Sequence, residues 1–298
     1  MSLQIVHPLT TPQLDSSRQR IGVFDSGVGG LTVLRAMLPL LPAADFLYVG
    51  DTARLPYGSK SRATIARYAV SSTRFLVEQG AEFLVIACNT ASALAIDEIR
   101  DAAGRVPVLG VIETGAAEAR ATSKTGDVLV IATDATVQSH AYDHASRAVG
   151  LRALEQACPL LVPLVEEGWI DHPVTAEVLR IYLSDLLAAS RDNLLAPDTL
   201  VLGCTHYPLL RGPIERALTQ LTGELHHGPI RVIDSAEATA TRVASALKVP
   251  RSPAHSLPGG AGATMRFFAT DSVSKFRTLG ARFLGRPIGE VELVDLGG

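Results

Sequence analysis

Short apolar runs, each too brief for a helix, recur along this chain and alternate with amphipathic segments of helical length. Residues 21–24, 45–49, 83–87, 108–112, 127–132 and 200–203 form these runs. A strand that is apolar on both faces must be covered on both faces, and the intervening segments supply the cover. The pattern predicts an α/β chain built on mostly parallel sheet flanked by helices. Residues 31–38, 60–79, 91–103, 177–189, 235–247 and 273–284 are the expected helices, and 265–269 a late strand. A hydrophobic share of 47% over 298 residues is ample for such a core.

The order of elements restarts near residue 127. Asp25 and Cys88 close apolar runs in the first half, as Thr133 and Cys204 do in the second, at similar intervals. This repetition predicts two similar α/β units. Ligands of such sheets bind beyond the carboxyl ends of the strands. All four residues fall at such ends, so facing halves would bring them to one cleft.

Two of the three cysteines stand in nearly matching contexts. Residues 83–90 read Phe-Leu-Val-Ile-Ala-Cys-Asn-Thr, and 200–206 read Leu-Val-Leu-Gly-Cys-Thr-His. A thiol on each side of one site suits the removal of a proton from one face of a carbon and the return of a proton to the other. His206 stands where it could favour a thiolate or supply a proton. The segment Asp25-Ser-Gly-Val-Gly-Gly30 lacks the Gly-Lys-Ser/Thr ending of a phosphate loop and the spacing of a dinucleotide loop. Its exposed amides suit a carboxylate, and an acid directly before the glycines would repel phosphate but could assist proton transfer. The loop over 51–58 borders the same cleft, with backbone N–H groups of Tyr57 and Gly58 available to a ligand. Cys158, just before Pro159, reads as a buried structural thiol, Glu166 and Glu167 as a solvated turn, and His226 and His227 as a surface pair. Two other readings of the thiols stay open on pattern alone. A zinc site would have only Cys88, Cys204 and His206, without a paired Cys-x-x-Cys. An acyl-transfer nucleophile paired with His206 would leave the second thiol unexplained.

Three cysteines are too few, and odd in number, for a disulfide scaffold, which points to reduced thiols in the cytoplasm. A net charge of -3 gives no footprint for nucleic acid or an anionic membrane. No run of 18 apolar residues exists to span a bilayer, and residues 1–19 read as a tail without the apolar core of a signal peptide. Residues 250–262, rich in proline and glycine, read as a linker.

Several longer matches give the chain a family likeness. Gly22-Val-Phe-Asp-Ser-Gly-Val-Gly-Gly30, Gly50-Asp-Thr-Ala-Arg-Leu-Pro-Tyr-Gly58, Ala87-Cys-Asn-Thr-Ala91, Gly110-Val-Ile-Glu113, Pro163-Leu-Val-Glu-Glu-Gly168 and Gly203-Cys-Thr-His-Tyr-Pro208 together resemble the glutamate racemases. The likeness runs nearly end to end. It implies two similar domains with the active site in the cleft between them, residues 1–115 plus 233–250 forming the first and 116–232 plus 251–298 the second. It implies interconversion of L- and D-glutamate without cofactor or metal, supplying D-glutamate for peptidoglycan. It assigns Cys88 to the D-enantiomer and Cys204 to the L-enantiomer, with Asp25 and His206 assisting their respective thiols and Glu166 as a further helper. Substrate contacts would come from Asp25, Ser26, Tyr57, Gly58, Asn89, Thr90, Thr205 and His206. Family likeness also implies a homodimer, and leaves room for a gyrase-binding role.

Overall fold

The computed structural model describes residues 18–224, 228–248 and 262–297. All but the last two residues of the expected tail over 1–19, the pair His226 and His227, and all but the last residue of the expected 250–262 linker lie outside them. The chain opens with β1 (Arg20–Asp25), α1 (Leu31–Met37), β2 (Asp45–Gly50), α2 (Arg62–Glu78), β3 (Phe83–Ile86), α3 (Asn89–Leu94), α4 (Ile96–Ala103), β4 (Val108–Gly110) and α5 (Val111–Thr122). A second series follows: β5 (Asp127–Ala132), α6 (Asp134–Gln138), α7 (Ala141–Ala148), β6 (Arg152–Ala157), α8 (Leu161–Glu166), α9 (Pro173–Asp192), β7 (Thr199–Gly203), α10 (Arg211–Glu224), β8 (Arg231–Asp234) and α11 (Ser235–Ala246). After residue 262 come β9 (Thr264–Ala269), α12 (Val273–Leu284) and β10 (Val291–Leu293).

Two sheets result. The first has the order β10-β9-β2-β1-β3-β4 and the second β6-β5-β7-β8. Every neighbouring pair is parallel. All six residues of β2 and of β5, and all five of β7, are buried, as strands covered by helices on both faces must be. Mostly parallel sheets flanked by helices are what the alternating runs predict. Among the described residues, no helix is long and apolar enough to cross a membrane.

The expected placement of residues 251–298 in the second unit is overturned where the structure describes its strands, β9 and β10. β9 pairs with β2 along its full length, from Asp45 opposite Thr264 to Gly50 opposite Ala269, and so extends the first sheet. The physical reason lies in Phe267 and Phe268. Adjacent strand residues point to opposite faces, so two buried phenylalanines need cover on both sides. Phe268 meets Phe75 of α2 edge-on with centroids 5.0 Å apart, and Phe267 lies near Tyr48 and Phe276. The expected cut between 115 and 116 falls inside α5, which continues to Thr122. β8 joins the second sheet, while α11 packs on α1 and on α5. The expected helix over 91–103 is broken in two, and the helical segment after β5 is likewise interrupted. Ala95 leaves helical geometry between α3 and α4, and His140 takes a left-handed backbone between α6 and α7.

Candidate active site

The loop after β1 is the hub of the site. Asp25 is buried and its Oδ2 accepts the Gly27 N–H at 2.8 Å, while Oδ1 has no partner among the described residues. Burial pushes its carboxyl above the ordinary value, against the opposing pull of the Gly27 amide and His206. The glycines of this loop are required by close approach from both sides. A Cβ on Gly30 would stand 2.6 Å from Asp25 Cβ and 2.8 Å from Ala87 Cβ. A Cβ on Gly29 would stand 2.2 Å from Thr205 Oγ1 and 2.7 Å from His206 Nδ1. The loop is thus wedged between the segments that carry the two cysteines.

Cys88 follows β3 and caps α3, its Sγ accepting the Ala91 N–H at 3.4 Å. Its own S–H donates to Ser26 Oγ at 3.6 Å. Burial, reinforced by the neighbouring Asp25 carboxyl, pushes this thiol up to about 12. At neutral pH it is a thiol.

Cys204 follows β7 as Cys88 follows β3. Its Sγ lies 4.0 Å from His206 Nδ1, and the far side of that ring, Nε2, lies 3.2 Å from Glu166 Oε1. Burial alone would lower the pKa of His206. Its hydrogen bonds to Cys204 and Glu166 prevail and hold it up to about 10. Glu166 in turn is held below the usual carboxylate range by the hydrogen bond from His206, despite partial burial. Glu167 is exposed on the surface. Phe283 of α12 meets the His206 ring edge-on at 4.9 Å.

The two halves are also joined by hydroxyls. Thr90 Oγ1 lies 3.0 Å from Thr133 Oγ1 and 3.3 Å from Thr136 Oγ1, and those two are 3.0 Å apart. Thr32 Oγ1 donates to the Thr205 carbonyl at 3.2 Å. Gly58 approaches Thr133 so closely that a Cβ there would stand 3.2 Å from Thr133 Cβ. Tyr57 donates its phenol to Asp51. Asn89 receives the Tyr142 phenol on Oδ1 at 2.7 Å.

The expected residues Asp25, Ser26, Cys88, Asn89, Thr90, Gly58, Cys204, Thr205, His206 and Glu166 are therefore linked, directly or through one neighbour, around the glycine loop. The sequence reading missed Thr136, Tyr142 and Phe283. Thr133 and Thr136 are three apart, which on a helix start places both hydroxyls on one face, so that signal was available. Nothing local marks Tyr142 or Phe283. Among the described residues, no group of three or more His, Cys, Asp or Glu side chains gathers in a way that could hold a metal.

Comparison with known proteins identifies the family of the chain. A family model described as Asp/Glu/Hydantoin racemase matches residues 21–243. A glutamate racemase of Koribacter versatilis is 52% identical over 302 residues, covering 95% of this chain and 100% of that protein. The crystal structure of glutamate racemase from Francisella tularensis in complex with D-glutamate superposes with a TM-score of 0.79 at 33% identity, over 94% of this chain and 98% of that one. Glutamate racemase from Thermus thermophilus in complex with beta-chloro-D-alanine gives 0.76 at 42% identity, over 95% and 99%. The match spans well over half of the sequence, and the chain belongs to the Asp/Glu/hydantoin racemase family.

Proposed function

We propose that this chain interconverts L- and D-glutamate by a cofactor-independent proton transfer at Cα, with Cys88 and Cys204 as the two relays. One observation carries the reading. Two buried cysteines end corresponding strands, each beside an ionisable partner, and both segments close on the same glycine loop. The substrate is taken from relatives: glutamate racemases of Koribacter versatilis and Francisella tularensis, the latter with D-glutamate bound.

The Cα–H of free glutamate is a very weak acid, because the adjacent carboxylate makes the carbanion dianionic. The site must therefore place donors where charge develops. Ser26, Asn89, Thr90 and Thr205, with the amides of Tyr57 and Gly58, are the groups assigned to the substrate carboxylates. A thiolate on one face removes the proton while a thiol on the other face donates one. Asp25 serves Cys88, and His206, oriented by Glu166, serves Cys204. On this scheme Cys204 deprotonates the L-enantiomer and Cys88, which rests as a thiol, protonates the carbanion to give the D-enantiomer. The reverse reaction begins from the opposite protonation state. Enantiomers have equal free energy in water, so the enzyme sets the rate and leaves the equilibrium constant at one. D-glutamate for peptidoglycan, made in the cytoplasm, is the corresponding biological role.

The test is the circular dichroism of L-glutamate over time with purified protein and no added cofactor, with L-aspartate as a control. Decay of the glutamate signal to zero supports the proposal, and in D2O the inverted product carries deuterium at Cα. A glutamate signal that persists, or one outpaced by aspartate, overturns it.

A further inference from the structure

Tyr142 touches the segments of both cysteines while belonging to neither. Its ring is fully buried, and a Cβ on Gly203, the residue before Cys204, would stand 2.9 Å from its Cε2. On the opposite edge, a Cβ on Gly115 of α5 would stand 3.3 Å from its Cε1. Two glycines thus make the slot that holds this ring, and the slot fixes where its hydroxyl points. That hydroxyl donates to Oδ1 of Asn89, the residue after Cys88, at 2.7 Å.

Asn89 itself is 3% exposed, and its Nδ2 is buried without a partner among the described residues. A buried amide nitrogen with two unmet donors is costly unless something arrives to accept them. A side-chain amide can flip, and its orientation is set by its neighbours. The Tyr142 phenol gives its one proton to Asn89 Oδ1. The amide oxygen is thereby claimed, and the NH2 faces the other way.

We infer that Tyr142 is a positioning residue that locks the Asn89 amide so that Nδ2 presents its donors to a carboxylate of the bound amino acid. The inference rests on the racemase reading. It places the determinant of a first-half substrate contact in the second half, beside the loop of the opposite cysteine. Tyr142 touches no reacting atom and acts through Asn89.

The test is a double-mutant cycle on the full chain, with Tyr142→Phe, Asn89→Ala and both together, read as racemisation kinetics and melting temperature. The phenylalanine ring fills the same slot, so kcat should stay within about twofold while KM for glutamate rises about fivefold, the signature of a lost ground-state contact. The double variant should bind no worse than Asn89→Ala alone. Independently, the 15N-labelled side-chain amide signals of Asn89 should shift on adding D-glutamate to the wild type and fail to shift in Tyr142→Phe. An unchanged KM in Tyr142→Phe, losses that multiply in the double variant, or an amide that responds equally in both proteins overturns the inference alone. A wild-type protein that leaves glutamate optically active overturns the racemase reading and this inference together.

Discussion

His206 turns Nε2 to Glu166 Oε1 at 3.2 Å and Nδ1 toward Cys204 Sγ at 4.0 Å, so a single ring joins a partly exposed carboxylate to a buried sulfur. With its pKa held up to about 10, the ring is an imidazolium across the neutral range. Glu166→Gln removes one of the two groups that sustain it. We expect the His206 pKa, followed by NMR titration of its ring protons, to fall toward 6.5, and the alkaline limb of racemisation to move to lower pH. The sign of the stability effect follows by linkage. A histidine raised on folding contributes fully below 6.5 and loses its contribution as pH rises through about 10. A glutamate lowered on folding contributes above 4.5 and loses its contribution as pH falls through its folded value. The stability advantage of wild type over Glu166→Gln should be widest between 4.5 and 6.5 and shrink toward 10. An advantage that grows as pH rises above 6.5 would contradict this pairing.

Serine in place of either cysteine keeps nearly the same volume and loses the readily ionised group. Cys88→Ser and Cys204→Ser should each reduce racemisation by about 10²–10⁴-fold, the usual contribution of a positioned acid or base. Melting temperatures should change little, because serine nearly preserves the volume of each buried side chain. Near-native turnover in either variant removes that residue from the mechanism.

The thiol of Cys88 offers a separate chemical readout. With its pKa pushed up to about 12, it should react with iodoacetamide far more slowly at neutral pH than an ordinary free cysteine. Asp25 is one of the groups raising it, so Asp25→Asn should lower the Cys88 pKa and speed alkylation while slowing racemisation. Burial remains the larger effect, so the acceleration should be partial. Mass spectrometry of the alkylated Cys88 peptide across pH decides the matter. Slower alkylation in Asp25→Asn would refute the coupling between the two groups.

The readability of this site in the sequence follows from where its residues lie. Asp25, Cys88 and Cys204 end buried parallel strands, and the ends of such strands can be read from apolar runs and their polar stops. Thr205, His206, Asn89 and Thr90 come with them as immediate neighbours. What could not be read is set by long-range packing. The Tyr142 contact with Asn89 joins residues from different units, and the position of β9 is decided by which sheet offers cover for Phe267 and Phe268 on both faces. Local sequence describes β9 as a strand without naming its neighbour. The residues alone read Glu166 as half of a solvated turn and the family likeness picks it out as a helper; in the structure its contact with His206 sets it apart from exposed Glu167.

That packing can be tested at Phe268. Its ring is buried between β2 and α2, against Phe75 and beneath the Arg266 guanidinium at 4.9 Å. Phe268→Ala should destabilise the chain by about 3–5 kcal/mol, the usual cost of deleting a buried aromatic. Hydrogen exchange should then speed first in β9, β10 and the neighbouring β2 of the first sheet. Loss of protection confined to the second sheet would contradict the observed strand order.

Gly29 carries the most stringent prediction, because two segments meet across it. Any side chain there would collide with Thr205 Oγ1 and His206 Nδ1, both on the segment that carries Cys204. Neither neighbour retreats freely, since His206 is held by Glu166 and the Thr205 carbonyl by Thr32. Gly29→Ala should therefore cost about 1–3 kcal/mol of stability through overpacking. It should also abolish most racemisation, since relief of the clash moves His206 relative to Cys204. Gly223 in α10 is the matched control, because a Cβ there meets nothing within 4 Å and its backbone is helical. Gly223→Ala should be neutral or stabilise by about 0.4–1 kcal/mol and racemise like wild type. Denaturant melts and dichroism assays on both variants separate the effects, and a fully active Gly29→Ala would mean that the glycine loop does not set the geometry of the two thiol segments.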